Sequence, residues 1–128
     1  MADQAFPSPL AHLSAVYVED DPDTQTLIGR AMGRRLRETH LASNGHEGLE
    51  QIRRHNPDII VTDLEMPVMD GLEMIRRVRD EYGDSKPVLV VTAYNDEEHH
   101  TDLADGYVLK PVMLKELFAT IETLIGAR

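Results

Sequence analysis

Cysteine is absent from this sequence of 128 residues. Its absence excludes disulfide bonds and thiolate metal sites, and it fits a reducing compartment. A long hydrophobic run is also missing at the start: residues 1–13 carry no basic stretch, and Pro7 and Pro9 interrupt them. This start is predicted to be neither a signal peptide nor a membrane span. We therefore expect a cytoplasmic protein with no membrane contact, in which residues 1–13 form a loose lead segment.

Basic residues are few in this chain. It has 13 Lys and Arg against 23 Asp and Glu, which gives a formal net charge of −10. Affinity for nucleic acids depends on Lys and Arg side chains that displace counterions from phosphates. Direct binding of nucleic acid is therefore not expected.

The length and the 41% hydrophobic content are those of one globular domain, which we place at residues 14–126. Five short apolar runs alternate with segments of helical periodicity. These runs cover residues 15–18, 40–42, 59–61, 88–91 and 107–109. Alternation of this kind predicts an α/β fold with an open, twisted parallel sheet, in which ligands bind at the carboxyl ends of the strands.

Polar residues follow four of the predicted strands: Glu19 and Asp20 the first, Asp63 the third, Thr92 the fourth and Lys110 the fifth. If the first and third strands are neighbours, the three carboxylates converge, and like charges raise one another's pKa unless a cation holds them ionised. A donor set of oxygen atoms alone suits a hard ion such as Mg²⁺, with Mn²⁺ as an alternative. Taken singly, Thr92 is equally well an ordinary strand residue and Lys110 a surface charge, but the combination favours a site.

A phosphate-binding cofactor domain is a rival interpretation for this fold. Such a domain needs a glycine-rich turn after the first strand, whereas residues 19–22 here read Glu-Asp-Asp-Pro. The acidic turn would repel a cofactor phosphate unless a metal stood between them. Phosphoryl transfer to a carboxylate suits the site better, because Mg²⁺, Thr92 and Lys110 could neutralise the phosphoryl oxygens.

The segment Asp63-Leu-Glu-Met-Pro-Val-Met-Asp-Gly71, together with the polar strand ends, resembles the response-regulator receiver family of two-component signalling. The resemblance extends over nearly the whole chain. It implies a flavodoxin-like, doubly wound sheet of five parallel strands in the order 2-1-3-4-5, with helices on both faces. It also implies a donor, which is a histidine kinase or a histidine phosphotransfer protein, and an unidentified downstream target or output domain.

The resemblance assigns a role to each residue of the site. It implies that Asp63 is the phosphoacceptor, that Asp20 is a direct Mg²⁺ ligand, and that Glu19 acts on the metal through water. The backbone carbonyl of Glu65 would complete the protein ligands. Three further roles are carried over in the same way: Thr92 as the hydroxyl that moves to the phosphoryl group, Lys110 as its ammonium partner before a cis Pro111, and Tyr107 as an aromatic switch. For Tyr107, a half-buried strand residue without a switching role remains an alternative.

Two other functions stay open at this point. One is an aspartyl-phosphate phosphohydrolase of the haloacid-dehalogenase type, although that family has Asp-x-Asp at the nucleophile where this chain has Asp63-Leu64-Glu65. The other is a pseudo-receiver, which binds partners without being phosphorylated. We expect neither, and we expect the chain to be no turnover enzyme: it would catalyse only its own phosphorylation and slow autodephosphorylation.

The connection between Thr92 and Lys110 departs from the family because it is several residues shorter. Residues 95–102 are polar throughout, so they offer no apolar face to bury, and short helices of that kind are marginal in water. The fourth predicted helix, between the fourth and fifth strands, is therefore expected to be short or disordered.

Overall fold

A computed structural model describes residues 8–94 and 100–126 of the chain. It contains five parallel strands in the order β2-β1-β3-β4-β5, as predicted. The elements are β1 (Ser14–Val18), α1 (Pro22–Arg35), β2 (Glu38–Ala42), α2 (Gly45–His55), β3 (Ile59–Thr62), α3 (Gly71–Tyr82), β4 (Val88–Thr92), β5 (Gly106–Leu109) and α4 (Leu114–Gly126). Among the described residues, none of the helices combines the length and the apolarity that crossing a bilayer requires.

Helices cover both faces of the sheet, and the two faces have separate apolar clusters. The first cluster joins β1, β3 and β4 to α1 and α4 through residues such as Ala15, Met32 and Ile121. The second joins the opposite side of the same strands to α2 and α3. Strands β1, β3 and β4 are buried throughout, which explains why their sequences are apolar without alternation.

Side-chain caps fix the starts of the first three helices. Asp21, Asn44 and Asp70 each accept a hydrogen bond from a backbone N–H in the first turn of the helix that follows. Such caps satisfy donors that have no partner inside the helix. Because these helices start beside the carboxyl ends of the strands, the caps also fix the loops that carry the polar residues.

The packed part of the chain begins before residue 14. Leu10 and Leu13 are only 2% and 3% exposed and belong to the cluster formed with α1 and α4. The Arg37 N–H donates to the carbonyl of Leu13 at 2.8 Å. The predicted loose lead of residues 1–13 therefore needs correction for residues 8–13, which pack on the domain, while residues 1–7 lie outside the described residues.

The connection from β4 to β5 contains turns and bends and no helix in its described parts, residues 93–94 and 100–105. The Arg79 side chain on α3 holds this segment by donating to the carbonyl of Leu103 at 2.7 Å and to Asp105 Oδ2 at 2.9 Å. Asp105 Oδ2 also accepts from the Val88 N–H, at the start of β4. Residues 95–99, the other part of the segment predicted to be short or disordered, lie outside the described residues.

Val68 has a backbone conformation that is costly for its residue type. Its φ is 68°, and the Met69 N–H donates to the carbonyl of Pro67 at 2.8 Å. A three-residue turn with positive φ at its centre is the rarer and more strained form of γ-turn. The Val68 side chain is 84% exposed, so its packing contacts offset little of this strain.

Replacing Val68 with glycine is therefore expected to stabilise the protein. The left-handed region costs a residue with a Cβ about 1–2 kcal/mol, and glycine loses part of that gain through its greater freedom in the unfolded chain. We expect Val68→Gly to raise the free energy of unfolding by about 1 kcal/mol, measured by urea denaturation. Val68→Ala keeps the Cβ and is the control. Equal stability of the two variants would contradict strain at this position.

Candidate functional site

The acidic residues that follow β1 and β3 meet at the edge formed by the carboxyl ends of the strands. The two strands are direct neighbours, with Val18 paired to Thr62, and the Asp63 N–H donates to the carbonyl of Val18 at 3.0 Å. As a result, Glu19, Asp20 and Asp63 each offer a carboxylate oxygen, and these oxygens lie within 4.8 Å of one another. The convergence predicted for the three acids is thus found in the structure.

Lys110 reaches this cluster from the end of β5. Its Nζ lies 2.7 Å from Asp63 Oδ2 and 3.0 Å from Glu19 Oε1. Its backbone N–H donates to the carbonyl of Thr92 at 2.8 Å, and its peptide bond to Pro111 is cis. One ammonium group therefore bridges two of the three carboxylates.

Both oxygens of the Asp63 carboxylate are engaged. Oδ1 accepts from the Leu64 N–H at 2.7 Å, and Oδ2 accepts from Lys110. Asp63 is 9% exposed, so the carboxylate is shielded from most of the solvent. These contacts hold one side of the carboxylate in a fixed orientation at the carboxyl edge of the sheet.

Burial shapes the charges of this site. Glu19 is 1% exposed, and desolvation raises its pKa, although the contact with Lys110 and the hydrogen bond from the Asp21 N–H act in the opposite direction. For Lys110, burial alone lowers the pKa, but the contacts with the Asp63 and Glu19 carboxylates outweigh it and raise the pKa above its ordinary value. Lys110 is therefore charged at neutral pH, yet one positive charge does not balance three carboxylates. The remaining negative charge and the oxygen-only donors suit a hard divalent cation.

The other predicted site residues lie nearby but have different contacts. Thr92 is buried, and its Oγ1 accepts from the Tyr94 N–H at 3.2 Å. Glu65 is exposed, two positions after Asp63. The Thr92 side chain is thus hydrogen-bonded to the backbone that follows β4. Thr92 is connected to the acidic cluster through its carbonyl, which accepts from the backbone N–H of Lys110.

Tyr107 is half-buried on β5 and is held by the β4–β5 connection. Its hydroxyl donates to the carbonyl of Thr101 at 2.7 Å and accepts from the Thr101 N–H at 2.5 Å. Its ring stacks on His100 at 4.9 Å between centroids. The structure thus pairs Tyr107 with the connection, and its hydroxyl makes no hydrogen bond with Thr92.

Two residues of the site were missed in the sequence. Gly71 ends the segment that resembles the family, but no pattern in the sequence shows that a Cβ built on it would lie 2.2 Å from the carbonyl oxygen of Asp63. Tyr17 lies in the first predicted strand, and a phenol in an otherwise apolar run, two residues before Glu19, is a signal that could have identified it.

Comparisons with known proteins place this chain in a family. A family model described as the response regulator receiver domain matches residues 15–122. The chain is 38% identical over 112 residues to the response regulator MprA of Mycobacterium leprae, a match that covers 84% of this chain and 49% of MprA. It is also 35% identical over 118 residues to an uncharacterized 14.6 kDa protein of Leptolyngbya boryana, covering 88% of this chain and 90% of that protein.

A solved structure of the response regulator TrrA of Thermotoga maritima, in complex with Mg²⁺–BeF, is similar to this chain. The TM-score is 0.76 at 28% sequence identity, and the match covers 88% of this chain and 98% of the solved chain. The chain spans about half the length of MprA, which is a longer protein.

Proposed function

Because the chain belongs to the response-regulator receiver family of two-component signalling, we propose that it takes a phosphoryl group onto Asp63 in a Mg²⁺-dependent reaction. The donor is a histidine kinase or a histidine phosphotransfer protein. The observation that carries this proposal is the convergence of three carboxylates and one ammonium group at the carboxyl edge of the sheet. Phosphoryl transfer to a carboxylate requires positioning and charge neutralisation more than covalent chemistry.

The donor set of the cluster fits Mg²⁺. Glu19, Asp20 and Asp63 provide oxygen atoms alone, and Mg²⁺ typically takes one or two carboxylates and keeps several waters. With the backbone carbonyl of Glu65, these residues would hold the ion. When bound, Mg²⁺, or Mn²⁺ in its place, supplies neutralisation of the phosphoryl oxygens.

The residues of the chain then have distinct roles in the transfer. An Asp63 carboxylate oxygen forms a bond to phosphorus while the bond from phosphorus to the donor's imidazole nitrogen breaks, and the nitrogen keeps the electron pair. Lys110 is already in contact with Asp63, so its ammonium group is placed to pair with a phosphoryl oxygen. The Thr92 hydroxyl moves to another phosphoryl oxygen.

Tyr107 gives this domain a way to report the modification. When Thr92 moves, Tyr107 turns into the space that it leaves, and it gives up its two hydrogen bonds to Thr101. The β4–β5 connection is then released from β5. A downstream protein or an attached output domain reads this change, and the signalling takes place in the cytoplasm.

Acetyl phosphate provides a direct test of this function. In the presence of Mg²⁺, the wild-type protein is expected to gain one phosphoryl group per chain by mass spectrometry and to lose it slowly. A multiple-turnover assay on small phosphoesters distinguishes this behaviour from that of a phosphohydrolase. Continuous release of phosphate would favour the hydrolase, and no labelling at all would favour the pseudo-receiver.

Mg²⁺ affinity is expected to depend on Asp20 more strongly than on Glu19. Asp20 is proposed to bind the metal directly, whereas Glu19 acts through water. Replacing a residue that contacts the metal only through water or through another ligand typically weakens metal binding at least about tenfold. We expect Glu19→Gln to weaken binding by about that factor and Asp20→Asn to weaken it further, measured by calorimetric titration. Asp23→Asn, an exposed acid on α1 outside the cluster, is the control. A larger loss for Glu19→Gln would contradict this order.

A further inference from the structure

Tyr17 places a buried hydroxyl group under the acidic site. It lies in the middle of β1, it is 0% exposed, and its ring packs in the cluster formed with α1 and α4. Within residues 8–94 and 100–126, its hydroxyl has no hydrogen-bond partner. Buried polar groups in native proteins nearly always have one, so this hydroxyl is expected to find an acceptor close by.

The Glu19 carboxylate is an acceptor to which this hydroxyl can donate. Tyr17 and Glu19 are two positions apart in the same extended segment, so their side chains lie on the same face of the sheet. Glu19 Oε2 accepts from the Asp21 N–H at 3.2 Å. Glu19 Oε1 is buried, and it lies 3.0 Å from Lys110 Nζ without the alignment of a hydrogen bond. The carboxylate therefore has one oxygen that is incompletely satisfied.

The phenol is suited to donate and not to ionise. Burial, and after it the negative charges of Glu19 and Asp63, raise the pKa of Tyr17 far above its ordinary value. The phenol therefore offers its O–H as a hydrogen-bond donor to the neighbouring carboxylate.

We propose that Tyr17 is a positioning residue of the phosphoacceptor site, whose hydroxyl donates to the Glu19 carboxylate and orients it toward the metal. This inference rests on the proposed function. The need for such a donor is greatest during phosphoryl transfer. Lys110 is shared between Glu19 and Asp63, and once its ammonium pairs with a phosphoryl oxygen, Glu19 loses its cation. Tyr17 then remains as the neighbouring donor from below the site.

Tyr17→Phe tests this role because it removes one oxygen atom and keeps the ring that fills the core. The dissociation constant of Mg²⁺ is measured by calorimetric titration of the whole chain. We expect Tyr17→Phe to weaken binding about three- to tenfold, which is the range of one hydrogen bond. In a Glu19→Ala background, which has no side-chain acceptor at position 19, the same substitution is expected to have no further effect. Tyr82→Phe, on the half-buried tyrosine at the end of α3, is the matched control and should leave Mg²⁺ affinity unchanged.

The outcomes separate this inference from the proposed function. If the wild type binds Mg²⁺ and is labelled on Asp63, but Tyr17→Phe binds Mg²⁺ equally well, only the role of Tyr17 is overturned. An equal loss in the wild-type and Glu19→Ala backgrounds would also overturn it, because the hydroxyl would then act without Glu19. Failure of the wild type to bind Mg²⁺ would overturn the proposed site and this inference together. Urea denaturation without metal gives a second readout: a Tyr17→Phe effect on stability that disappears in Glu19→Ala supports the hydrogen bond, and one that persists overturns it.

Discussion

Asp63→Asn is expected to abolish phosphorylation of the chain by acetyl phosphate and Mg²⁺. The amide keeps the size of the side chain, and its oxygen can still accept from the Leu64 N–H, a contact of 2.7 Å in the wild type. It has no negative charge, however, so it loses the attacking oxygen and the ion pair with Lys110. Mass spectrometry of the intact chain should show the wild type with one added phosphoryl group and the variant with none.

Asp70→Asn is the matched control for this experiment. Asp70 lies in the same loop and caps α3 by accepting from the Glu73 N–H at 2.9 Å, and asparagine caps helices about as well as aspartate. Labelling of Asp70→Asn should equal that of the wild type. A phosphoryl group on Asp63→Asn, located by peptide mapping on another residue, would refute the assignment of Asp63 as the acceptor.

Gly71→Ala is expected to cause the largest loss of stability among the substitutions considered for this chain. A Cβ at this position would lie 2.2 Å from the carbonyl oxygen of Asp63 and 2.8 Å from the Leu64 Cα. Both neighbours are backbone atoms, so no side chain can turn away to make room. The Gly71 N–H also donates to the carbonyl of Leu64 at 2.8 Å, which ties the start of α3 to the acceptor segment.

The expected cost follows from this close approach. Overpacking of a rigid site typically costs 1–3 kcal/mol and occasionally more, and contact with backbone places Gly71→Ala at about 3 kcal/mol or above, measured by urea denaturation. Gly33→Ala is the control, since Gly33 is exposed in α1 and a Cβ there would meet nothing within 4 Å. Alanine in a helix interior should stabilise that variant by roughly 0.5–1 kcal/mol. Similar stabilities of the two variants would show that the acceptor loop can yield, contrary to this packing.

The Gly71 substitution also connects stability with function. Any shift that accommodates the new Cβ must move the carbonyl of Asp63 or the Cα of Leu64, and both belong to the segment that orients the acceptor carboxylate. Folded Gly71→Ala protein is therefore expected to be labelled more slowly than the wild type. The helix start and the acceptor are in this sense one packed unit.

The sequence alone determined the sheet and most of the acidic site. Apolar runs without alternation define buried parallel strands, and the carboxyl ends of such strands meet at one edge, so Glu19, Asp20 and Asp63 were expected to converge. They do. The family resemblance added the strand order and the cis peptide before Pro111, which are also found. These features depend on local periodicity and on residues at the ends of elements, which a sequence displays directly.

Only the tertiary structure decided how the charges of the site are balanced. The sequence predicted repelling carboxylates that need a bound cation, whereas in the structure Lys110 crosses from the end of β5 and bridges Glu19 and Asp63. The burial of Leu10, the orphaned hydroxyl of Tyr17 and the contact of Gly71 with Asp63 were likewise absent from the prediction. Each depends on the distance between segments that are far apart in the chain or on which side chain fills a given space. No local pattern encodes such distances, because they are set by the simultaneous packing of all the helices on the sheet.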